Sequence, residues 1–236
     1  WGEAFGYTSW KAVKIAIEDM VAPLLVGKDM TNIPELILTL QKSLHLFGRY
    51  GITMFAISGV EIALWDALGK EKNKPIHELL GKKNKDLFKA YSSLFRYGDP
   101  KIVEQKCKQS LDDGYQAIKL HEIENNCIEA GRKGTGNLPL MLDTNCPWTY
   151  EETLAKKDFL QEMRLTWLEE PIYPPEDYQT LAKLKKELDI PIACGENACT
   201  EFEFKSMIDQ NAVTYVQPSV IKVCLLYTSP SPRDVR

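Results

Sequence analysis

Three carboxylates close three successive apolar runs at nearly even steps. Asp143 ends Pro139-Leu-Met-Leu-Asp, Glu169 ends Leu165-Thr-Trp-Leu-Glu, and Glu196 ends Ile190-Pro-Ile-Ala-Cys-Gly-Glu, steps of 26 and 27 residues. One rung back, 24 residues before Asp143, Lys119 ends Tyr115-Gln-Ala-Ile-Lys. A strand, a helix and two connecting loops fill such an interval, so each step reads as one βα unit. In a parallel barrel, equivalent strand ends gather on one face, where active sites are built. The ladder therefore predicts three carboxylates meeting beside a lysine, a hard-cation site next to a base.

The rest of the chain supports that frame. From Asp86 onward, strands are expected at 87–93, 115–120, 139–143, 165–169, 190–195 and 213–217, with helices at 99–113, 122–133, 149–163, 175–188 and 199–210. Strand–helix alternation with short loops argues for an α/β fold with a parallel sheet covered by helices. Six strands make a partial (β/α) barrel, because a closed one has about eight. Residues 1–83 differ. Trp1-Gly-Glu-Ala-Phe-Gly-Tyr7 reads as the remnant of a strand, and Thr8-Ser-Trp-Lys opens an amphipathic stretch ending before Pro23. Asn32-Ile-Pro-Glu opens a second helix. Phe55 to Gly69 is apolar almost all round and reads as a buried helix stopped by Gly69. Pro75-Ile-His-Glu-Leu-Leu-Gly81 closes a short one, in which His77 is structural, and Lys82-Lys83-Asn84-Lys85 reads as a solvated linker.

Composition excludes some partners. A net charge of −4 and a pI near 5.6 give no reason to expect nucleic acid or an anionic membrane surface. No apolar run approaches the roughly 18 residues of a membrane span. The six cysteines lack zinc-type pairs and disulfide-dense spacing, so they are expected as reduced thiols in a cytoplasmic protein. Both ends look abnormal. The chain begins without Met, and from Cys224 it runs Leu-Leu-Tyr-Thr-Ser-Pro-Ser-Pro-Arg-Asp. That stretch matches a translated sequencing adapter, so residues 224–236 are read as an adapter-derived, non-native tail on a fragment truncated at both ends.

The residues themselves allow a mechanism. Oxygen-only ligands from Asp143, Glu169 and Glu196 suit one Mg²⁺, which keeps positions open for water and substrate oxygens. A divalent cation bound to a substrate carboxylate stabilises an enediolate, so a nearby base can remove the α-proton. Lys119 and His121 are two apart at a strand end and share a face. Close to each other and to a metal, they are expected to have depressed pKa values.

Lys119-Leu-His121, Asp143-Thr-Asn145, Trp167-Leu-Glu-Glu-Pro171 and Gly195-Glu-Asn197, in that order, resemble the mandelate racemase and muconate-lactonizing branch of the enolase superfamily. Ser58 to Gly69 resembles the helix that joins that family's capping domain to its barrel. The resemblance implies an α+β capping domain over 1–83, N-terminally incomplete, and a modified barrel over 84–223. It also implies one Mg²⁺ on Asp143, Glu169 and Glu196, and abstraction of the proton α to the carboxylate of a small-molecule substrate. Lys119 and His121 fall on the family's Lys-x-Lys motif, with His121 in the place of the usual base. Glu170 points away from Glu169 and reads as a contact to substrate or behind the ligands, or as a structural partner, rather than as a ligand. Asn145 and Asn197 read equally as turn residues or as contacts to substrate or ligands. In Gln217-Pro-Ser219-Val-Ile-Lys222, Ser219 stands where racemases carry the Asp of a His–Asp dyad and cycloisomerases carry a Lys base. Elimination needs one base and racemisation needs one on each face. The leading expectation is therefore a Mg²⁺-dependent sugar-acid (α-hydroxy acid) dehydratase, a hydro-lyase. The alternative is a racemase or epimerase. The parent is expected to be a homo-oligomer, and the chain alone an inactive, aggregation-prone fragment.

Overall fold

The computed structural model describes residues 1–81 and 87–223. The expected linker, the expected 83/84 boundary and residues 224–236, expected to be adapter-derived, fall outside the described residues. Contact density divides the described chain into two units. One comprises residues 1–81 with Gly195–Lys205 and the residues from Pro218 to 223; the other comprises Leu87–Cys194 and Ser206–Gln217.

The first unit is helical. Its elements are α1 (Trp10–Ile15), α2 (Ala22–Leu25), α3 (Ile33–Ser43), α4 (Gly51–Lys72) and α5 (Ile76–Leu80). A π-helical segment, Ala16–Val21, joins α1 to α2 and carries the helix past Pro23, where an end was expected; the wider π turn directly precedes the proline, which has no N–H to donate. Asn32 caps α3 by accepting from the Glu35 N–H at 3.3 Å. Ile33, Ile37, Leu40 and Met54 are buried in the core between α3 and α4. Each such side chain contributes on the order of 1.5–3 kcal/mol.

Three further expectations about this unit need correction. Residues 1–6 form no strand. They lie against α4, where Gly2 and Gly59 approach so closely that a Cβ on Gly2 would fall 2.0 Å from the Gly59 carbonyl oxygen. Gly69 does not stop α4; the helix runs on to Lys72 and ends at Asn73 in the left-handed conformation. Gly69 is instead where the chain folds back, its carbonyl accepting from Lys74 N–H at 2.9 Å. Finally, α4 does hold an 18-residue window of mean hydropathy 1.4, enough by length and composition to cross a membrane. Its buried Met54, Ile57, Glu61 and Trp65 mark it as a core helix of this unit.

The second unit carries the sheet. Strands β1 (Ser92–Ser93), β2 (Ile118–Leu120), β3 (Leu140–Asp143), β4 (Trp167–Glu169), β5 (Ile192–Cys194) and β6 (Tyr215–Val216) pair in that order, all parallel. β2, β3 and β5 are buried throughout, as expected for strands covered on both faces. Between them run α6 (Pro100–Asp112), α7 (Asn125–Thr135), α8 (Tyr150–Ala155), α9 (Lys157–Glu162), α10 (Tyr178–Leu188) and α11 (Glu201–Asp209). The helix starts have local causes. Asp99 caps α6 with Pro100 at the first position, Thr149 and Glu152 form a reciprocal capping box on α8, and Asp177 caps α10. The expected strands and helices of this unit all appear, the strands shorter. Two differences stand out: the helix expected at 149–163 is divided at Lys156, and α7 runs through Gly134.

Candidate active site

Register brings the ladder together. Asp143 pairs with Glu169 at the ends of β3 and β4, and Lys119, one residue before the end of β2, pairs with Met141, so Lys119 lies at the same end of the sheet as the two acids. Asp143 and Glu169 are 1% and 2% exposed. Two carboxylates so buried require counter-charge. Lys119 Nζ supplies it, donating to Asp143 Oδ2 and to Glu169 Oε1, each at 2.8 Å. His121 Nε2 lies 3.1 Å from the same Asp143 Oδ2. The other ring nitrogen, Nδ1, meets the Leu94 carbonyl, which can only accept, so Nδ1 carries a proton.

The second oxygen of each acid has partners of its own. Asp143 Oδ1 accepts from the Asn145 N–H at 3.1 Å and from its Nδ2 at 2.9 Å. Glu169 Oε2 accepts from Trp167 Nε1 and from Gln217 Nε2, both at 2.9 Å. The half-buried Glu196 follows β5 by two residues, and Lys222 Nζ is 3.6 Å from its Oε1. Asp143 and Glu169 present carboxylate oxygens side by side at the ends of β3 and β4, and Glu196 is the third acid of the ladder. That is an oxygen-only donor set of the kind a small hard cation takes, so the residues fit Mg²⁺.

The electrostatics follow from these contacts. Burial pushes the Asp143 carboxyl up, but its hydrogen bonds with His121 and Lys119 outweigh that and hold it well below the usual range. Glu169 moves the other way, raised by burial and by the charge of Asp143. Burial opposes the Lys119 charge, yet the hydrogen bonds to Asp143 and Glu169 keep the ammonium protonated above the ordinary lysine range. The His121 imidazole is raised, first by its hydrogen bond to Asp143. In this geometry both meet carboxylates, which favour the charged form; the depressed values for Lys119 and His121 were expected of a site with its cation bound.

The other expected residues surround this cluster or lie apart from it. Glu170 is buried and turned toward cysteines, with Cys146 Sγ 3.6 Å from Oε2 and Cys194 Sγ 3.9 Å from Oε1. Its main-chain oxygen accepts from Thr144 Oγ1 at 2.9 Å. Asn145 takes the left-handed conformation and bonds Asp143, so it is both a turn residue and a ligand contact. Asn197 is exposed on the loop after β5. Ser219 contributes its carbonyl to a turn with Lys222 and Val223. The five cysteines among the described residues form no disulfide with one another.

Sequence reasoning missed four participants. Trp167 and Gln217 lie within the recognised motifs but drew no role from them. Arg96 and Glu122 carried no spacing signal. Glu122 is buried and accepts from the Tyr97 and Gly98 N–H groups, 2.7 Å and 3.3 Å away, clamping the loop after β1.

Comparison with known proteins agrees with this geometry. Residues 1–81 match the family described as mandelate racemase / muconate lactonizing enzyme, N-terminal domain, and residues 103–224 match the one described as enolase C-terminal domain-like. The chain is 34% identical over 232 residues to the arabinonate dehydratase of Saccharolobus solfataricus, covering 94% of this chain and 61% of that protein. It is 32% identical over 212 residues to the L-talarate/galactarate dehydratase of Salmonella typhimurium, covering 86% and 53% respectively. This chain thus spans less than two thirds of these relatives. Among solved structures, an enolase from Bradyrhizobium complexed with magnesium and mandelic acid superposes with a TM-score of 0.81 at 30% identity, covering 93% of this chain and 62% of that one. The expectation of a partial α/β barrel holds. The chain belongs to the mandelate racemase / muconate lactonizing enzyme family of the enolase superfamily.

Proposed function

We propose that the protein carrying this chain removes the proton α to the carboxylate of a sugar acid to give an enediolate, then expels the β-hydroxyl as water. The observation that carries this reading is the meeting of Lys119 and His121 on the buried pair Asp143 and Glu169. Asp143, Glu169 and Glu196 would hold Mg²⁺, which when bound supplies the positive charge that the enediolate needs. The remaining steps belong to the chain. Lys119 presents an ammonium to the substrate carboxylate. His121, its Nδ1 proton committed to Leu94, presents Nε2 as the atom that takes the α-proton, and it does so only when that nitrogen is deprotonated. The same imidazolium can return a proton to the departing hydroxyl, so one base serves both halves of the elimination. The enol left after water loss ketonises to a 2-keto-3-deoxy acid. The two dehydratase relatives and Ser219, which cannot act as a second base at neutral pH, favour this over racemisation.

The test is incubation of the whole protein and Mg²⁺ with a panel of aldonic and aldaric acids in deuterated water. Formation of an α-keto acid from one member, abolished in His121→Asn, is the expected result. Deuterium entering the α-position without loss of water would move the assignment to a racemase or epimerase. Neither exchange nor dehydration with any acid of the panel would reject both.

A further inference from the structure

The loops that follow β1 and β2 are crossed by two reciprocal hydrogen bonds. His121 sends its ring Nδ1–H to the Leu94 carbonyl, and Arg96, two residues beyond Leu94, sends its Nε–H back to the His121 main-chain oxygen. The same guanidinium reaches β3: Nη2 donates to the Thr144 carbonyl at 3.0 Å and to Asn145 Oδ1 at 3.2 Å. Asn145 in turn donates to Asp143 Oδ1. One planar fork thereby ties the backbone of His121 to the residue that orients Asp143, across three adjacent strand ends. Leu94 itself is pinned by its N–H to the Lys119 carbonyl at 2.9 Å.

We propose that Arg96 is a positioning residue, the latch that fixes the His121 ring in its Nδ1–H form and in register with Asp143. This rests on the base role proposed for His121. A lysine would not substitute, because an ammonium lacks the coplanar donors that face His121 and the Thr144–Asn145 turn at once. Phe95, between the two anchors, is 80% exposed and takes no part in the latch.

The experiment is proton NMR of the full chain labelled with ¹⁵N-histidine. The chain has 3 histidines, so the His121 signals are assigned by their loss in His121→Asn. Wild type and Phe95→Ala should both show a slowly exchanging, low-field Nδ1–H resonance for His121. Arg96→Ala and Arg96→Lys should both lose it, with circular dichroism unchanged. Retention of the resonance in either Arg96 variant would overturn the proposal, as would its absence in wild type or its loss in Phe95→Ala. If neither Arg96 variant folds, Arg96 holds the fold and not the ring, and the proposal fails as well. Mn²⁺ added to the wild-type sample separates the two readings. Failure of Mn²⁺ to broaden the His121 carbon-bound protons counts against the metal reading alone, since the latch is judged on the metal-free resonance.

Discussion

His121 meets Asp143 through Nε2, 3.1 Å from Oδ2, on the oxygen that also receives the Lys119 ammonium. The pairing favours the imidazolium over the neutral ring in the metal-free site. Freeing Nε2 to accept a proton requires that Asp143 be engaged elsewhere.

That coupling has a definite sign with pH. The His121 pKa is raised, so its contribution to stability is full below the unfolded value of about 6.5 and is lost as pH rises through the folded value. The Asp143 pKa is lowered, so its contribution is present above about 3.9 and is lost as pH falls through the depressed value. In chelator-treated protein, the melting-temperature gap between wild type and His121→Asn should therefore be widest near pH ~5–6 and shrink toward pH ~9. Calorimetric scans across that range check it. A gap that grows with pH would mean that His121 is stored neutral.

Lys119 holds together two carboxylates that are almost wholly buried. Lys119→Met keeps the apolar stem and deletes the charge. It should destabilise the metal-free chain by about 3–5 kcal/mol, the cost of stranding buried charge. Mg²⁺ should then raise the melting temperature of the variant by more than it raises that of wild type, because no ammonium competes for Asp143 Oδ2 and Glu169 Oε1. A smaller Mg²⁺ response in the variant would show that Lys119 helps to assemble the metal site.

The ladder was legible because strand periodicity fixes where the ends of βα units fall, and acids that close three such runs in register must converge at one end of the sheet. What the sequence hid was of two kinds. Gly69 looked like a helix stop, and a helix was expected to end at 133, just before Gly134, yet both glycines sit inside helices; a residue without Cβ permits close approach as readily as it ends a helix. Long-range donors were the other kind. Arg96 reaches His121 and Asn145 across 25 and 49 residues, and Gln217 reaches Glu169 across 48, distances at which no local pattern operates. The protonation of Lys119 and His121 depends in the same way on which partner each finally meets.

Gly134 gives a direct test of the packing that carries β2. A Cβ there would fall 2.8 Å from the Glu104 carbonyl oxygen and 2.7 Å from Cys107 Cβ, both on α6. Helix propensity alone favours alanine over glycine inside a helix. Here the neighbour is backbone and cannot swing aside, so Gly134→Ala should lose about 1–3 kcal/mol as α6 and α7 are forced apart. A denaturant midpoint equal to or above that of wild type would refute the close approach.

Trp167 joins the sheet interior to the acid it serves. Its ring packs between Tyr91 and Tyr215, with centroids 5.8 Å and 5.2 Å away, and its Nε1–H bonds Glu169 Oε2. Together with Gln217 it fixes one oxygen of Glu169 and leaves Oε1 directed at the place where Lys119 and a cation would compete. Trp167→Phe preserves an aromatic ring between the two tyrosines and removes only the donor. Mg²⁺ affinity should fall roughly 10-fold or more, as when a supporting hydrogen bond behind a metal ligand is lost, with little change in melting temperature of the metal-free protein. Gln217→Met removes the second donor and should act in the same direction. The pair should be less than additive, because either donor alone still restrains the carboxylate. Isothermal titration with Mg²⁺ measures both, and an affinity unchanged in the double variant would show that Glu169 needs neither donor to bind.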